Sequence, residues 1–187
     1  DVDKVSYYAG IRSGAGSINV TATEGNNTIT AGKNVSGIVS YPNKTGNATV
    51  KAAKNNFITA GLDGAYTKAG NITVTADNAN MITANRDGLS ATGSNNTITL
   101  HAVKSNTIKA DRNAMYATDG GVINVNSYEK RSMMEGNVVA ETGGTISADY
   151  NTGDSYLLGT VTTDHGKTDT SSTTLNFKNG GQRLVTG

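Results

Sequence analysis

Asn80-Met81-Ile82-Thr83-Ala84 decides the fold, because it recurs. Asn27-Thr28-Ile29-Thr30-Ala31 and Asn56-Phe57-Ile58-Thr59-Ala60 precede it, and Asn106-Thr107-Ile108-Lys109-Ala110 follows. Neighbouring side chains on a strand point to opposite faces, so the Asn, Ile and Ala of each copy share one face. The Ile belongs inside, and the Asn two residues earlier goes in with it, at a corner. Stacked copies then give a column of Asn, a column of Ile and a column of Ala.

The Ile positions are separated by 29, 24 and 26 residues. A second register precedes this first one. It comprises Ile18-Asn19-Val20, Ala48-Thr49-Val50, Ile72-Thr73-Val74, Ile98-Thr99-Leu100 and Ile123-Asn124-Val125. A third contains Ile11, Ile38, Ala65, Leu89, Met115 and Val139. Three registers with one unit length mean three short strands per turn, and a repeat of this size marks a solenoid. The alternation within each strand argues against helix, and no stretch has helical spacing with a cap. Gly and Asn at the junctions suit corners. The expectation is an all-β, right-handed, three-sided parallel β-helix of 24–30 residues per coil.

The long step into the second coil points to an insertion at Tyr41-Pro42-Asn43-Lys44-Thr45-Gly46, which holds the chain's single Pro. After Ala110 the pattern loosens. The segment 127–131 interrupts it, Met133-Met134 replaces Ile, and the ladder Asn is missing. Val138-Val139-Ala140 and Thr145-Ile146-Ser147-Ala148 resume the third and first columns. Residues 1–149 therefore read as coils. Residues 150–187 read as continuing or C-terminal coils with a longer polar loop at 162–172. Tyr156–Val161 and Thr174–Phe177 read there as longer strands, and Leu184–Gly187 as a strand cut short. The chain starts and stops within its own repeat, which suggests an excerpt of a longer secreted chain.

Composition narrows the function classes. Apolar residues make up only 35 % of the chain, enough for the thin core of a solenoid. The net charge of +1, with no basic run, argues against nucleic acid as a partner. No apolar run approaches a membrane span, so no membrane insertion by this segment is expected. The absence of Cys removes disulfide and thiol chemistry, and it fits a polypeptide exported unfolded.

The Asn-x-Ile-Thr-Ala units, Ala84–Ala91, Gly143-Gly144-Thr145-Ile146 and the closing 175–187 run together resemble the passenger of a type V autotransporter adhesin. The resemblance implies a right-handed β-helix exported through the outer membrane of a Gram-negative bacterium and placed on the extracellular cell surface. It implies adhesion, autoaggregation or biofilm formation, with a host or bacterial surface protein or glycan as partner, or self-association between copies. No protease or lipase module is visible, and neither enzyme activity nor a cofactor is expected.

Each candidate site has a structural reading beside the functional one. Asn27, Asn56, Asn80 and Asn106 point inward, so stacked amides bonding along the column are favoured over a ligand stripe. Asp63 and Asp87 precede Gly, with Ser36 and Asn113 in the equivalent places. Stacked carboxylates can hold Ca²⁺ or act as an acid/base pair. Asp-Gly is equally a turn dipeptide, and the Ser and Asn replacements favour that role. Arg86 and Arg112 stack beside these turns. Tyr66 and Tyr116 point outward from the third face, and Tyr41 sits at the inserted loop. These five are the candidate binding residues, since exposed Tyr stacks on sugars or anchors protein contacts. The loop 41–46 and the segment 128–132 are the places to seek a receptor contact.

The Thr rows make no continuous ice-binding face, because the outward row reads Thr28, Phe57, Met81, Thr107. Sequons at Asn26, Asn34, Asn43, Asn47, Asn71 and Asn95 are expected by chance in so Asn- and Thr-rich a chain. His101 and His165 are not in register, so no metal site is expected. Two alternatives to an adhesive rod stay open: a carbohydrate-active β-helix (lyase, hydrolase or depolymerase) and a passive spacer.

Overall fold

The computed structural model describes residues 9–41, 46–127, 131–164 and 170–184. Among them there is no helix, and every strand pairing is parallel. The strands form three columns around one narrow core, a β-solenoid of about 6 turns. The first column stacks Asn27–Lys33, Asn55–Gly61, Ala79–Ala84, the start of Ser105–Thr118, the start of Arg131–Ala140, Tyr156–Leu158 and Gln182–Leu184. The second runs from Ile18–Ala22 through Ala48–Ala52, Ile72–Ala76, Thr97–Ala102, Val122–Ser127 and Thr145–Tyr150 to Ser172–Phe177. The third runs from Ala9–Ser13 through Ser36–Ser40, Ala65–Thr67 and Asp87–Thr92 to the later parts of the two long strands and Val161–Thr163.

Like residues lie over like residues. Ile29, Ile58, Ile82, Ile108, Met134 and Leu157 occupy one line, and all are buried. Val20, Val50, Val74, Leu100, Val125, Ala148 and Leu175 form a second line. Two expected positions need correction. In the third column the inward residue is Val138, fully buried beside Met115, whereas Val139 pairs with Tyr116 and faces out. A register shift after Lys109 displaces the frame there, and spacing alone does not reveal it. Thr145–Ala148 continues the second column, where Ile146 lies over Ile123, and not the first.

The extra length of the second coil is divided between two places. Part is taken up by a bulge at Lys33, which pairs with Gly61, followed by Asn34 at φ 60°. The remainder falls at 41–46, of which 42–45 lie outside the described residues, as do 128–130, 165–169 and 185–187. Tyr156–Val161 is not one strand: it breaks at Gly159 into a first-column and a third-column piece. Ser172–Phe177 pairs with Thr145–Tyr150, so the stack continues past residue 150. There Tyr150 turns inward, stacks on Phe177 at 4.5 Å and 10°, and donates its hydroxyl to the Met134 sulfur at 3.0 Å. Burial pushes the Tyr150 phenol above its ordinary value.

A line of small residues makes the first and third columns fit. A Cβ on Gly64 would lie 2.4 Å from Ile82 Cγ2, and one on Gly88 would lie 2.3 Å from Ile108 Cγ2. Gly37 stands in the same relation to Ile58 at 2.7 Å. Neither Gly64 nor Gly88 has a positive φ. The Asp-Gly dipeptides are therefore not left-handed turns; Gly is there because the next coil's Ile methyl branch and the backbone carbonyls of Gly88 and Ala114, 2.5 and 2.7 Å from the two added Cβ atoms, fill the space. In the following coil the pair becomes Ala114 and Met134, both fully buried. Met has no branch at Cβ, so the Ala is tolerated. Gly88→Ala is expected to cost about 1–3 kcal/mol through overpacking. Gly88→Ala with Ile108→Met should recover the part due to the Ile methyl branch, while the Ala114 carbonyl 2.7 Å from the added Cβ stays in the way. Urea melts of the four proteins of this cycle check it, and simple additivity would refute the contact.

Candidate functional site

The Asn column is built as a two-way bracket. Asn27 donates to Asn56 Oδ1 at 2.9 Å, Asn56 to Asn80 Oδ1 at 2.8 Å, and Asn80 to Asn106 Oδ1 at 3.0 Å. The second N–H of each amide reaches a second-column carbonyl: Lys51, Thr75, His101 and Asn126 in turn. Asn56, Asn80 and Asn106 are fully buried. One donor thus joins coil to coil, and the other closes the corner between two faces. In the next two coils Ser132 and Ser155 occupy the column, and the Ser132 N–H donates to Ser155 Oγ at 3.0 Å. From Asn56 to Asn106 this column meets no solvent in which a large ligand could sit, while Asn27 at its start is half-buried.

The Asp63 and Asp87 carboxyls are also inside the wall, 0 % and 1 % exposed. Arg86 Nε donates to Asp63 Oδ1 at 2.7 Å, and its Nη2 to the other oxygen at 2.5 Å. Arg112 grips Asp87 in the same two-pronged way, with Nε at 2.9 Å from Oδ1. Each Arg reaches back one coil, so the pairs climb like stairs. Asn113 adds a bond to Asp87 Oδ1 at 2.8 Å, and the Asp87 N–H donates to Asp63 Oδ1 at 3.3 Å. Burial pushes the Asp63 carboxyl up from its ordinary value, against the opposing pull of Arg86. The hydrogen bond to Asp63 raises the Arg86 guanidinium further, so it stays charged. Sequence reasoning brought Arg86 and Arg112 together but gave Asp63 and Asp87 a turn role, without pairing them to the Arg residues. The partners lie 23 and 25 residues apart in sequence, which no local signal discloses.

Tyr66, Ser90 and Tyr116 lie in register on the outside of the third face. Both Tyr residues are half-buried, while Ser90 between them is 3 % exposed. Tyr116 donates its hydroxyl to Glu141, and burial with that carboxylate pushes its pKa up to about 12. Tyr41 is set apart from this row, with the Lys68 ammonium 5.8 Å from its ring centre. The five candidates thus do not converge on one cleft.

The first face carries a feature that the sequence showed only as a broken Thr row. Its outward line reads Thr28, Phe57, Met81, Thr107, Met133 and Tyr156, in register. The large members are half-buried. On the second face the equivalent lines hold Asn, Thr, Ser, Lys, His and Asp, with no large apolar side chain among the described residues. Lys109 pairs with Glu135 at 3.3 Å and Arg131 with Asp154 at 3.2 Å along the edges of the first face.

His101 is in register with Thr75 and Asn126, and His165 lies outside the described residues. Among the described residues no three of His, Cys, Asp or Glu come together to hold a metal ion. No family model, curated protein or solved structure matches the chain.

Proposed function

We infer that the chain is a stretch of an adhesive rod displayed on a bacterial cell surface, of the autotransporter-passenger kind. The observation that carries this reading is the unbroken stacking of three strand columns. Stacked coils at about 4.8 Å each make a stiff body whose length grows with coil number and whose faces project side chains outward. Such a body suits the presentation of weak contacts in number. Linked contacts gain about 10²–10⁴ in avidity over single ones. The reading as a polysaccharide-cleaving β-helix draws no support from Asp63 and Asp87, whose carboxyls are buried and held by Arg86 and Arg112.

The test couples the full chain at high density to beads and offers them to bacterial cells, to host cells and to one another. Binding or clumping that rises steeply with coupling density is the expected result. Beads that stay dispersed and bind neither cell type at any density would overturn the reading in favour of a passive spacer.

A further inference from the structure

The outward line of the first face has a gap at its centre. Thr107 is short, and the longer Met81 and Met133 flank it one coil below and one coil above. The two thioether side chains wall a groove of about 490 Å³, which also takes in Lys104, Arg131 and Asp154. That volume lies within the ordinary range for small-ligand sites, and it admits side chains rather than a folded domain. Thioethers pack well on aromatic rings and adapt to irregular shapes.

The groove is lined by the cations Lys104 and Arg131 and the anion Asp154. Lys54, Lys104, Lys109 and Arg131 stand exposed on this face and its corner. Opposing them are Glu135 and Asp154, already tied to Lys109 and Arg131. With Asp77 at the neighbouring corner position, these described residues count four cations against three anions. Among the described residues Lys54 and Lys104 form no ion pair, and Lys104 lines the groove itself. Arg131 belongs to the 128–132 segment where the pattern of the sequence breaks.

We propose that this groove binds an extended acidic peptide segment carrying one aromatic side chain. The ring sits over Thr107 between Met81 and Met133, and the flanking carboxylates meet Lys104 and Arg131. The assignment stands independently of the surface-rod reading, since it concerns one groove and one ligand class.

The chain's four methionines supply the test: Met81 and Met133 line the groove, while Met115 and Met134 are fully buried. The full chain carrying ¹³C-methyl methionine is titrated with a capped pentapeptide that has one phenylalanine between two aspartates. The Met81 and Met133 methyl signals are expected to move, and those of Met115 and Met134 to stay. A peptide with asparagine for aspartate, or alanine for phenylalanine, should bind at least about fivefold more weakly. Lys104→Glu should weaken the acidic peptide by a similar factor, and Met81→Thr with Met133→Thr, followed through the peptide's own phenylalanine ring signals, should abolish its binding. Thr already occupies that line at 28 and 107, so both variants should keep the fold, which the unmoved Met115 and Met134 signals verify. No movement at millimolar peptide, equal binding of the uncharged peptide, or movement of all four signals would overturn the proposal. Movement of Met81 and Met133 with protein concentration alone would overturn it too, by showing that a second copy fills the groove.

Discussion

Arg86→Met is expected to destabilise the protein by about 3–5 kcal/mol at neutral pH, because it strands the fully buried Asp63 carboxylate without its counter-ion. Met keeps most of the stem, so the loss reports charge rather than packing. Arg112→Met should cost less. Arg112 is 55 % exposed against 28 % for Arg86, and Asp87 keeps Asn113 and a more distant Arg86. Adding Asp63→Asn to Arg86→Met should restore most of the stability, since Asn keeps the acceptor for the Asp87 N–H without the charge.

The pH dependence has a definite sign. The folded pKa of Asp63 already lies above 3.8, and losing Arg86 removes an influence that lowers it. A carboxyl whose folded pKa is raised adds stability below its unfolded value and loses it as pH rises through the folded one. The Arg86→Met deficit should therefore shrink on acidification toward pH 4. Urea melts across that range check it. A deficit that stays constant or grows toward acid would show that Asp63 is not the stranded group.

Asn80→Ala is expected to cost roughly 3–5 kcal/mol, because it orphans three partners at once. Asn56 loses the acceptor for one N–H, the His101 carbonyl loses its donor, and Asn106 Oδ1 loses its donor. Asn27→Ala, at the half-exposed start of the column, should cost distinctly less, since water replaces part of what is lost. Asn80→Asp keeps the shape and one acceptor but gives up both donors, so it should be at least as damaging as Ala. Equal, small effects at positions 27 and 80 in thermal melts would show that the amides contribute little beyond filling space.

The Ile and Asn lines were legible because they repeat in register and the inward direction of an Ile is unambiguous. The Gly line was visible but pointed to the wrong cause. Asp-Gly is a common turn pair, and only the nearness of Ile82, Ile108 and the next coil's backbone carbonyls shows that Gly64 and Gly88 are there for room. The staircase of Asp63, Arg86, Asp87 and Arg112 was half legible. The Arg residues stack in the sequence pattern, but burial of an Asp depends on a partner from another coil. Val138 was hidden by a register shift, and Tyr150 with Phe177 because, among the described residues, aromatic side chains enter the core only at that end. The groove around Thr107 needed neighbouring coils side by side, since each coil contributes a single residue to its centre.

The buried amides also solve a problem of alignment. A strand shifted by two residues against its neighbour still turns the same sides inward, so greasy packing alone scarcely distinguishes the right stacking from a slipped one. Asn-x-Ile-x-Ala removes that ambiguity. Slippage by two would set Asn80 against Ile108 in one direction or Lys104 in the other, and take its amide away from Asn106. The polar line therefore acts as a proofreading mark along a growing stack, letting each new turn settle in one place only.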